Sequence, residues 1–512
     1  MSSNSGSFGL PTDERNLRLL DNVRPASWVN PEPQSRYHLV VIGAGTAGLV
    51  CAAEAAAIGA RVALVERHLM GGDRLNVGCV PSKSVVRAAR AWNAVTMGKS
   101  SFAAAGSIGT GDFAEVMGRT RELRARLSAK DSASRYRDLG VDVFVGDGHF
   151  VGPDAVEVGG QRLSFRNAVI ATGGRAAPPP IPGLAGAGYL TNETLFNLTE
   201  LPRRLAVIGA GPVGCELAQA FARFGAHVAL FDSGTLLPLD DPDAAAIVQA
   251  SLESDGVRIE LGAKIVEVAP RGRDGRDKVI RFDRGGIATQ AEEFVANEIL
   301  VAVGRKPNIE ALRLEAAGVT YNAQGVTVDD RLRTSNPKIF AAGDVCSAYQ
   351  LTHNSAAQAR IVVANALLSG GARSSRLVMP WCTYTSPEVA HVGLDEREAR
   401  ARGVAIETVT TNLADIDRAV LDGEEQGFLR LHLKKGTDRI LGATLVAAHA
   451  GDLIAGVCIA IAQGIGLEKI AGTVLPYPTQ GEVLKKAAED WQSARVTPFK
   501  RRLRRLRLWF RK

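Results

Sequence analysis

Two stretches of the chain run through the same order of apolar and polar positions. Residues 37–66 open on the apolar run Leu39-Val40-Val41-Ile42, pass a Gly-rich turn and an Ala-rich segment, and close on Val62-Ala63-Leu64-Val65 and an acid. Residues 204–232 repeat the order with Leu205-Ala206-Val207-Ile208, a Gly-rich turn, an Ala-rich segment and Val228-Ala229-Leu230-Phe231 before their own acid. Short apolar runs bounded by turn residues predict strands buried on both faces, and the segment between them predicts a helix. A strand–turn–helix–strand unit present twice predicts an α/β protein with two doubly wound parallel sheets. At 512 residues the chain is also too long for one compact core.

The chemistry of the repeat lies in its turns, Gly43-x-Gly45-x-x-Gly48 and Gly209-x-Gly211-x-x-Gly214. The first glycine of each permits a tight turn off the strand. The second lets the backbone approach a pyrophosphate, and the third lets helix and strand pack closely. The phosphates then meet the helix N-terminus, where unpaired N–H groups and the helix dipole favour negative charge. Glu66 and Asp232 each lie 23 residues after the first glycine, where an acid binds ribose hydroxyls. A single glycine turn of this kind is weak evidence; two, each in full context, predict two dinucleotide sites. The second reads Asp232-Ser233-Gly234-Thr235 with no base to hold a 2′-phosphate, so NADH is expected there rather than NADPH.

Charge and cysteine content narrow the picture. The formal net charge is +7, and residues 500–512 alone hold eight Lys and Arg with no acid, so the basicity is an appendage. The body is close to neutral and is not expected to bind nucleic acid. Leu503, Leu506 and Phe510 recur at helical spacing within that tail. It reads either as a short amphipathic helix for peripheral contact with an anionic membrane or as a solvated basic tail. The longest apolar run, residues 453–462, is too short to span a bilayer. The start of the chain lacks the charged-then-apolar layout of a secretory signal. Six cysteines without zinc-type spacing predict neither a metal site nor a disulfide framework and fit a cytoplasmic location.

Between the repeats lies Gly71-Gly72-Asp73-Arg74-Leu75-Asn76-Val77-Gly78-Cys79-Val80-Pro81-Ser82-Lys83. This stretch resembles the redox-active segment of the pyridine nucleotide–disulfide oxidoreductases, in the manner of mercuric reductase-like and lipoamide dehydrogenase-like members. Further motifs follow in order: Ala171-Thr172-Gly173, Val303-Gly304-Arg305-Lys306-Pro307-Asn308, Ala341-Ala342-Gly343-Asp344 and Leu475-Pro476-Tyr477-Pro478-Thr479-Gln480-Gly481-Glu482. The resemblance implies two Rossmann-type domains, for FAD and NAD, and a C-terminal α+β dimerisation domain. It divides the chain into an N-terminal extension (1–36), FAD domain (37–177), NAD domain (178–304), central segment (305–376), dimerisation domain (377–492) and basic tail (493–512). It implies a homodimer and an FAD site that adds Gly72, Lys83, Thr172, Gly173, Gly304, Gly343 and Asp344 to the first glycine turn. The Asp344 side chain is expected on the ribityl chain. Lys83 is expected near flavin N5 with Glu216 as its partner, although by itself Lys83 also reads as a surface lysine.

The departures from the pattern bear on function. Family members pair a flavin-side cysteine, here Cys79, with an attacking cysteine at the position of Arg74. An arginine stays protonated and can neither form a disulfide nor attack as a nucleophile, so ordinary dithiol exchange is unavailable. The other cysteines offer no evident substitute; Cys51 and Cys215 fall on the Ala-rich helices and read as small buried side chains. Tyr477 stands where disulfide reductases carry a general-base histidine with a glutamate, here Glu482, and its pKa of about 10 suits neutral proton transfer poorly. The leading expectation is hydride transfer from NADH to FAD and then directly to a small acceptor, such as a quinone. Arg74 would line the acceptor side and lower the pKa of Cys79. Mercuric or disulfide reduction is one alternative, and a non-catalytic FAD-binding dimer another.

Overall fold

A computed structural model describes residues 8–101, 111–272, 276–284, 291–368 and 370–495. The polar start of the chain and the basic 500–512 tail lie outside them. The chain forms two compact units. One comprises the described residues up to Ala210, with Ala220–Ser233 and Arg258–Leu377; the other comprises Gly211–Gln219, Gly234–Val257 and the described residues from Val378 on.

The first unit holds both parallel sheets that the repeats predict. In one, Val141–Val145, Val62–Glu66, Tyr37–Ile42 and Gln161–Ile170 run in that order, with Ile339–Ala341 also paired to Gln161–Ile170, all parallel; Ala155–Val158 and then Gly148–Gly152 extend the sheet antiparallel from Gln161–Ile170. Strand Ile339–Ala341 arrives from far along the chain and pairs Phe340 with Val169. Tyr37, Leu39, Val40 and Val41 are fully buried, as a strand covered on both faces requires. The Ala-rich helix Thr46–Ala57 packs on Thr352–Leu367, where the Cys51 thiol donates to the Ala359 carbonyl at 3.6 Å. Cys51 is buried there, as the composition of its helix suggests.

The other parallel sheet has the order Arg258–Leu261, His227–Asp232, Arg204–Ile208 and Glu298–Val301, the arrangement of the first sheet's leading four strands. A three-stranded antiparallel sheet, Lys264–Arg271, Asp277–Asp283 and Glu292–Ala296, adjoins it in sequence. The second unit is built on a five-stranded antiparallel sheet in the order Pro380–Thr383, Glu388–Gly393, Ile440–Ala447, Phe428–Lys434 and Ile406–Asn412. Val457 and Ile454 of helix Ala450–Gln463, and Ala487 and Trp491 of helix Glu482–Ala494, close its core. The fold is therefore α/β with an α+β C-terminal part.

The N-terminal extension carries an element that the sequence did not announce. Helix Glu14–Val23 is capped by Asp13, whose carboxylate accepts from Asn16 N at 2.8 Å. Its Leu19, Leu20 and Val23 join the core of the first sheet beside Met70 and Leu75. No described helix is long and apolar enough to cross a membrane.

Candidate functional site

The first glycine turn has the geometry its spacing predicts. Gly43 has φ +103°, and a Cβ there would lie 2.4 Å from the Ala171 carbonyl oxygen. A Cβ on Gly48 would lie 1.8 Å from the Gly43 oxygen, so neither position admits a side chain. Gly45 faces open space except for Gly72 Cα, 3.8 Å from where its Cβ would be, and a Cβ on Gly72 would come within 2.7 Å of Gly45 Cα. Bare backbone from the turn thus faces bare backbone from the redox-like segment, a cradle that side chains would fill.

Glu66 ends the neighbouring strand. It is buried, and its two carboxylate oxygens accept from Ala44 N and His68 N, each at 2.7 Å. Burial pushes this carboxyl above its ordinary range, opposed by those two N–H donors. A cleft opens beside it, lined by Gly43, Arg67, Asp147, Thr172, Asn308 and Glu310 among others. An acid at the strand end, a glycine cradle and an adjoining cleft fit the adenosine half of a dinucleotide.

Two motifs far apart in sequence meet at this cleft. The Thr172 hydroxyl donates to the Asn308 carbonyl at 2.7 Å, and Asn308 Nδ2 returns a bond to Thr172 O at 2.9 Å. Strands Gly174–Ala176 and Arg305–Pro307 pair antiparallel beside them. Gly173 and Gly304 have φ +68° and +72°, and a Cβ on Gly304 would meet the Ala177 oxygen at 2.6 Å. Arg305 then reaches both Asp73 Oδ2, at 2.6 Å, and Asp344 Oδ2, at 3.2 Å. Burial works against its charge, but the two carboxylates outweigh this and hold its pKa up. Burial likewise raises the Asp344 carboxyl, with Arg305 opposing and Asp73 adding to the rise. Gly343, at φ +84°, precedes Asp344 at the end of strand Ile339–Ala341. Sequence reasoning gave no role to Arg305 or Asp73; both stand within recognisable motifs, but nothing local points to their pairing.

The redox-like segment is a short helix, Gly72–Asn76, followed by the long helix Cys79–Ser101. Cys79 is exposed, at the N-terminus of the long helix, and its Sγ lies 3.3 Å from the Thr352 hydroxyl. Lys83 is half-buried one turn further along. Gly78 rides on the preceding turn: a Cβ there would lie 2.8 Å from Asp73 O and 3.5 Å from Arg74 N. The Arg74 guanidinium forms an ion pair with Asp131, whose side chain is 8% exposed. That carboxyl is raised by burial, with Arg74 the foremost opposing charge. The arginine is therefore engaged by a buried carboxylate that sequence spacing could not single out.

The second glycine turn repeats the geometry of the first. Gly209 has φ +114°, and the Asp232 carboxylate accepts from Ala210 N at 2.8 Å. No atom lies within 4 Å of where a Cβ on Gly211 would be, so the backbone is open to a phosphate there. Gly214 and Cys215 fall in the helix Pro212–Arg223, with Cys215 buried.

In the second unit, Glu216 is buried, and its carboxylate accepts from Tyr384 N at 2.9 Å. Tyr477 is 70% exposed and donates to Asp417 at 2.8 Å, while Glu482 accepts from Thr479 N at 3.2 Å. Asp417 raises the Tyr477 hydroxyl's pKa further, which makes this tyrosine a still poorer proton shuttle near neutrality. Among the described residues no group of three or more His, Cys, Asp and Glu could hold a metal ion.

Residues 37–359 match the family model described as pyridine nucleotide-disulphide oxidoreductase, and residues 379–488 match that family's dimerisation domain. The mercuric reductase of Staphylococcus aureus is 34% identical over 454 residues, which cover 88% of this chain and 82% of that protein. The dihydrolipoyl dehydrogenase of Geobacillus stearothermophilus is 32% identical over 88% of this chain and 95% of its own length. Among solved structures, the HOCl-induced flavoprotein disulfide reductase RclA of Escherichia coli superposes with a TM-score of 0.78 at 28% identity, covering 88% of this chain and 99% of that one. LpdA of Mycobacterium tuberculosis superposes with a TM-score of 0.80 at 25% identity, covering 90% and 100%.

The chain belongs to the pyridine nucleotide–disulfide oxidoreductase family, and it is an FAD-dependent oxidoreductase that uses a pyridine nucleotide. It carries the family's dimerisation domain, which supports a homodimer.

Proposed function

We propose that this enzyme takes reducing equivalents from NADH and delivers them directly to a small acceptor, without a dithiol relay. The observation that carries this reading is the ion pair of Arg74 with Asp131. By the family resemblance, position 74 is where the attacking thiol belongs. It holds instead a side chain that cannot be oxidised to a disulfide and is tied to a buried carboxylate. The bound flavin would supply the redox chemistry, accepting a hydride from the nicotinamide and returning two electrons to the acceptor.

The chain's own residues then bind and orient. Gly43, Gly45, Gly48 and Gly72 form the cradle for the pyrophosphate of FAD, and Glu66 holds the adenosine ribose. Thr172, Gly173, Gly304, Gly343 and Asp344 line the remaining length, with Asp344 on the ribityl chain. Gly209, Gly211, Gly214 and Asp232 bind NADH. Lys83 is assigned to the flavin edge, where a cation favours the reduced anion, and Glu216 to the nicotinamide side. Cys79 is assigned to the flavin face. Tyr477 and Glu482 are assigned to the acceptor end as positioning groups rather than as an acid–base pair. The six segments, bounded at 36, 177, 304, 376 and 492, are the corresponding domains.

The names of the relatives favour a second reading, reduction of Hg(II), with the exposed Cys79 and thiols from the medium as ligands. A steady-state screen of NADH oxidation against quinones, disulfides, oxygen and Hg(II) in thiol buffer separates the two. Turnover with quinones and none with disulfides supports direct transfer. Oxidation of NADH that depends on Hg(II) alone supports the alternative, and rapid turnover of a disulfide substrate defeats the proposal.

A further inference from the structure

The segment that holds Cys79 is gripped from behind by residues that precede the family match, which begins at residue 37. Helix Glu14–Val23 lies against helix Phe113–Ser128. Between them Arg124 is 1% exposed, and its two terminal nitrogens hold different partners. Nη2 donates to Asn16 Oδ1 at 2.7 Å, and Nη1 donates to the carbonyl of Asn76 at 3.0 Å, three residues before Cys79. Beside it Arg121 pairs with Asp13 at 2.6 Å, and Asn22 Nδ2 donates to Ser128 Oγ at 2.9 Å.

The same N-terminal stretch holds the other end of the loop. Met70 N donates to the Val23 carbonyl at 3.2 Å, and Arg24 Nη1 donates to the carbonyls of Arg67 and His68 at 2.6 and 2.8 Å. Inside the loop, Asn76 Nδ2 ties Met70 O and Gly72 O at 3.1 and 3.0 Å, and Asn192 Nδ2 holds Val77 O at 3.3 Å. Burial lowers the Arg124 pKa only to about 10, so it remains a cation at neutral pH, and hydrogen bonds from a charged donor are the stronger kind.

We propose that residues 13–24, acting through Arg124, form a clamp that fixes the 67–77 loop and so sets the place of the Cys79 thiol. This rests on the reading of Cys79 as the flavin-side thiol. Arg124 and Asn16 are positioning residues, since neither touches the thiol. With the clamp intact, Cys79 stays at the start of its helix beside Thr352. With it loosened, the thiol drifts while the rest of the fold persists.

The test uses the FAD-loaded enzyme and the variants Asn16→Ala, Arg124→Met and Arg124→Lys, with Cys79→Ser as control. Hydrogen–deuterium exchange of a peptide covering 70–82 should speed up about tenfold, equivalent to ~1.4 kcal/mol, in Asn16→Ala and Arg124→Met. Exchange at 440–447 should not change, and Arg124→Lys should recover part of the protection. In parallel, raising the pH should bring up a long-wavelength thiolate–flavin absorbance that Cys79→Ser lacks, weakened by half or more in the first two variants. Unchanged exchange at 70–82, or equal acceleration at 440–447, overturns the clamp. Faster exchange with an undiminished band overturns its link to the thiol. Absence of the band from the unmodified enzyme defeats the placement of Cys79 on the flavin, and exchange then decides the clamp alone.

Discussion

Replacing Arg74 by cysteine should change two properties at once, and the structure separates them. The first is redox capacity. The unmodified enzyme, with only Cys79 at this turn, should take up two electrons per FAD in an anaerobic reductive titration, bleaching the flavin from the first addition. Arg74→Cys places a second thiol on the turn that Gly78 packs against, and should raise the capacity to four with an early thiolate–flavin absorbance. The second property is stability, because the substitution leaves Asp131 without its guanidinium. Removing one partner of a buried ion pair costs about 3–5 kcal/mol. Asp131 is 8% exposed but Arg74 is 30% exposed, so solvent screening brings the expected loss to about 2 kcal/mol at pH 7. The pH dependence has a definite sign. Burial already raises the Asp131 carboxyl, and losing Arg74 raises it further. An acid whose folded pKa lies above its unfolded value destabilises the fold increasingly as pH rises from the unfolded value through the folded one. The stability gap between the two proteins should therefore be smallest at acid pH, below the unfolded value, and widen as the pH rises. Denaturant midpoints across that range measure it, and adding Asp131→Asn should close the gap without altering the electron count. Four electrons in the unmodified enzyme would refute the reasoning at its root, since another cysteine would then have replaced the missing one. A gap that does not vary with pH would show that Asp131 is not the carboxylate Arg74 neutralises.

Three further outcomes are expected. The kcat/KM for NADH should exceed that for NADPH by about tenfold or more, a difference of ~1.4 kcal/mol, because the Asp232 carboxylate repels a 2′-phosphate; equal use of the two would mean the pocket is read elsewhere. Gly48→Ala should yield protein without flavin, as judged from the absorbance ratio after purification, because its Cβ would lie 1.8 Å from the Gly43 oxygen; full flavin content would contradict this close approach of helix to strand. Removing residues 500–512 should abolish co-sedimentation with anionic liposomes, and identical pelleting with and without them would leave the tail no membrane role.

What the sequence determined by itself was local. Apolar runs, glycine turns and strand-end acids follow one another within about thirty residues. Each is imposed by backbone sterics or by burial of a short strand, so the two parallel sheets and the glycine turns at their ends were legible in the chain alone. The buried Cys51 and Cys215 were legible for the same reason, from the composition of their helices. Tertiary structure alone decided which charges meet. Asp131 stands 57 residues from Arg74, Arg305 stands 232 from Asp73, and Arg124 stands 108 from Asn16, with no periodicity to connect them. Helix Glu14–Val23 was missed in the same way: its apolar face is a few leucines and a valine among charges, and only the core it joins reveals its purpose. Hydrophobic pattern is written along the chain because burial acts on each element's own face. An ion pair is a property of two elements brought together, and its partner is chosen by the fold.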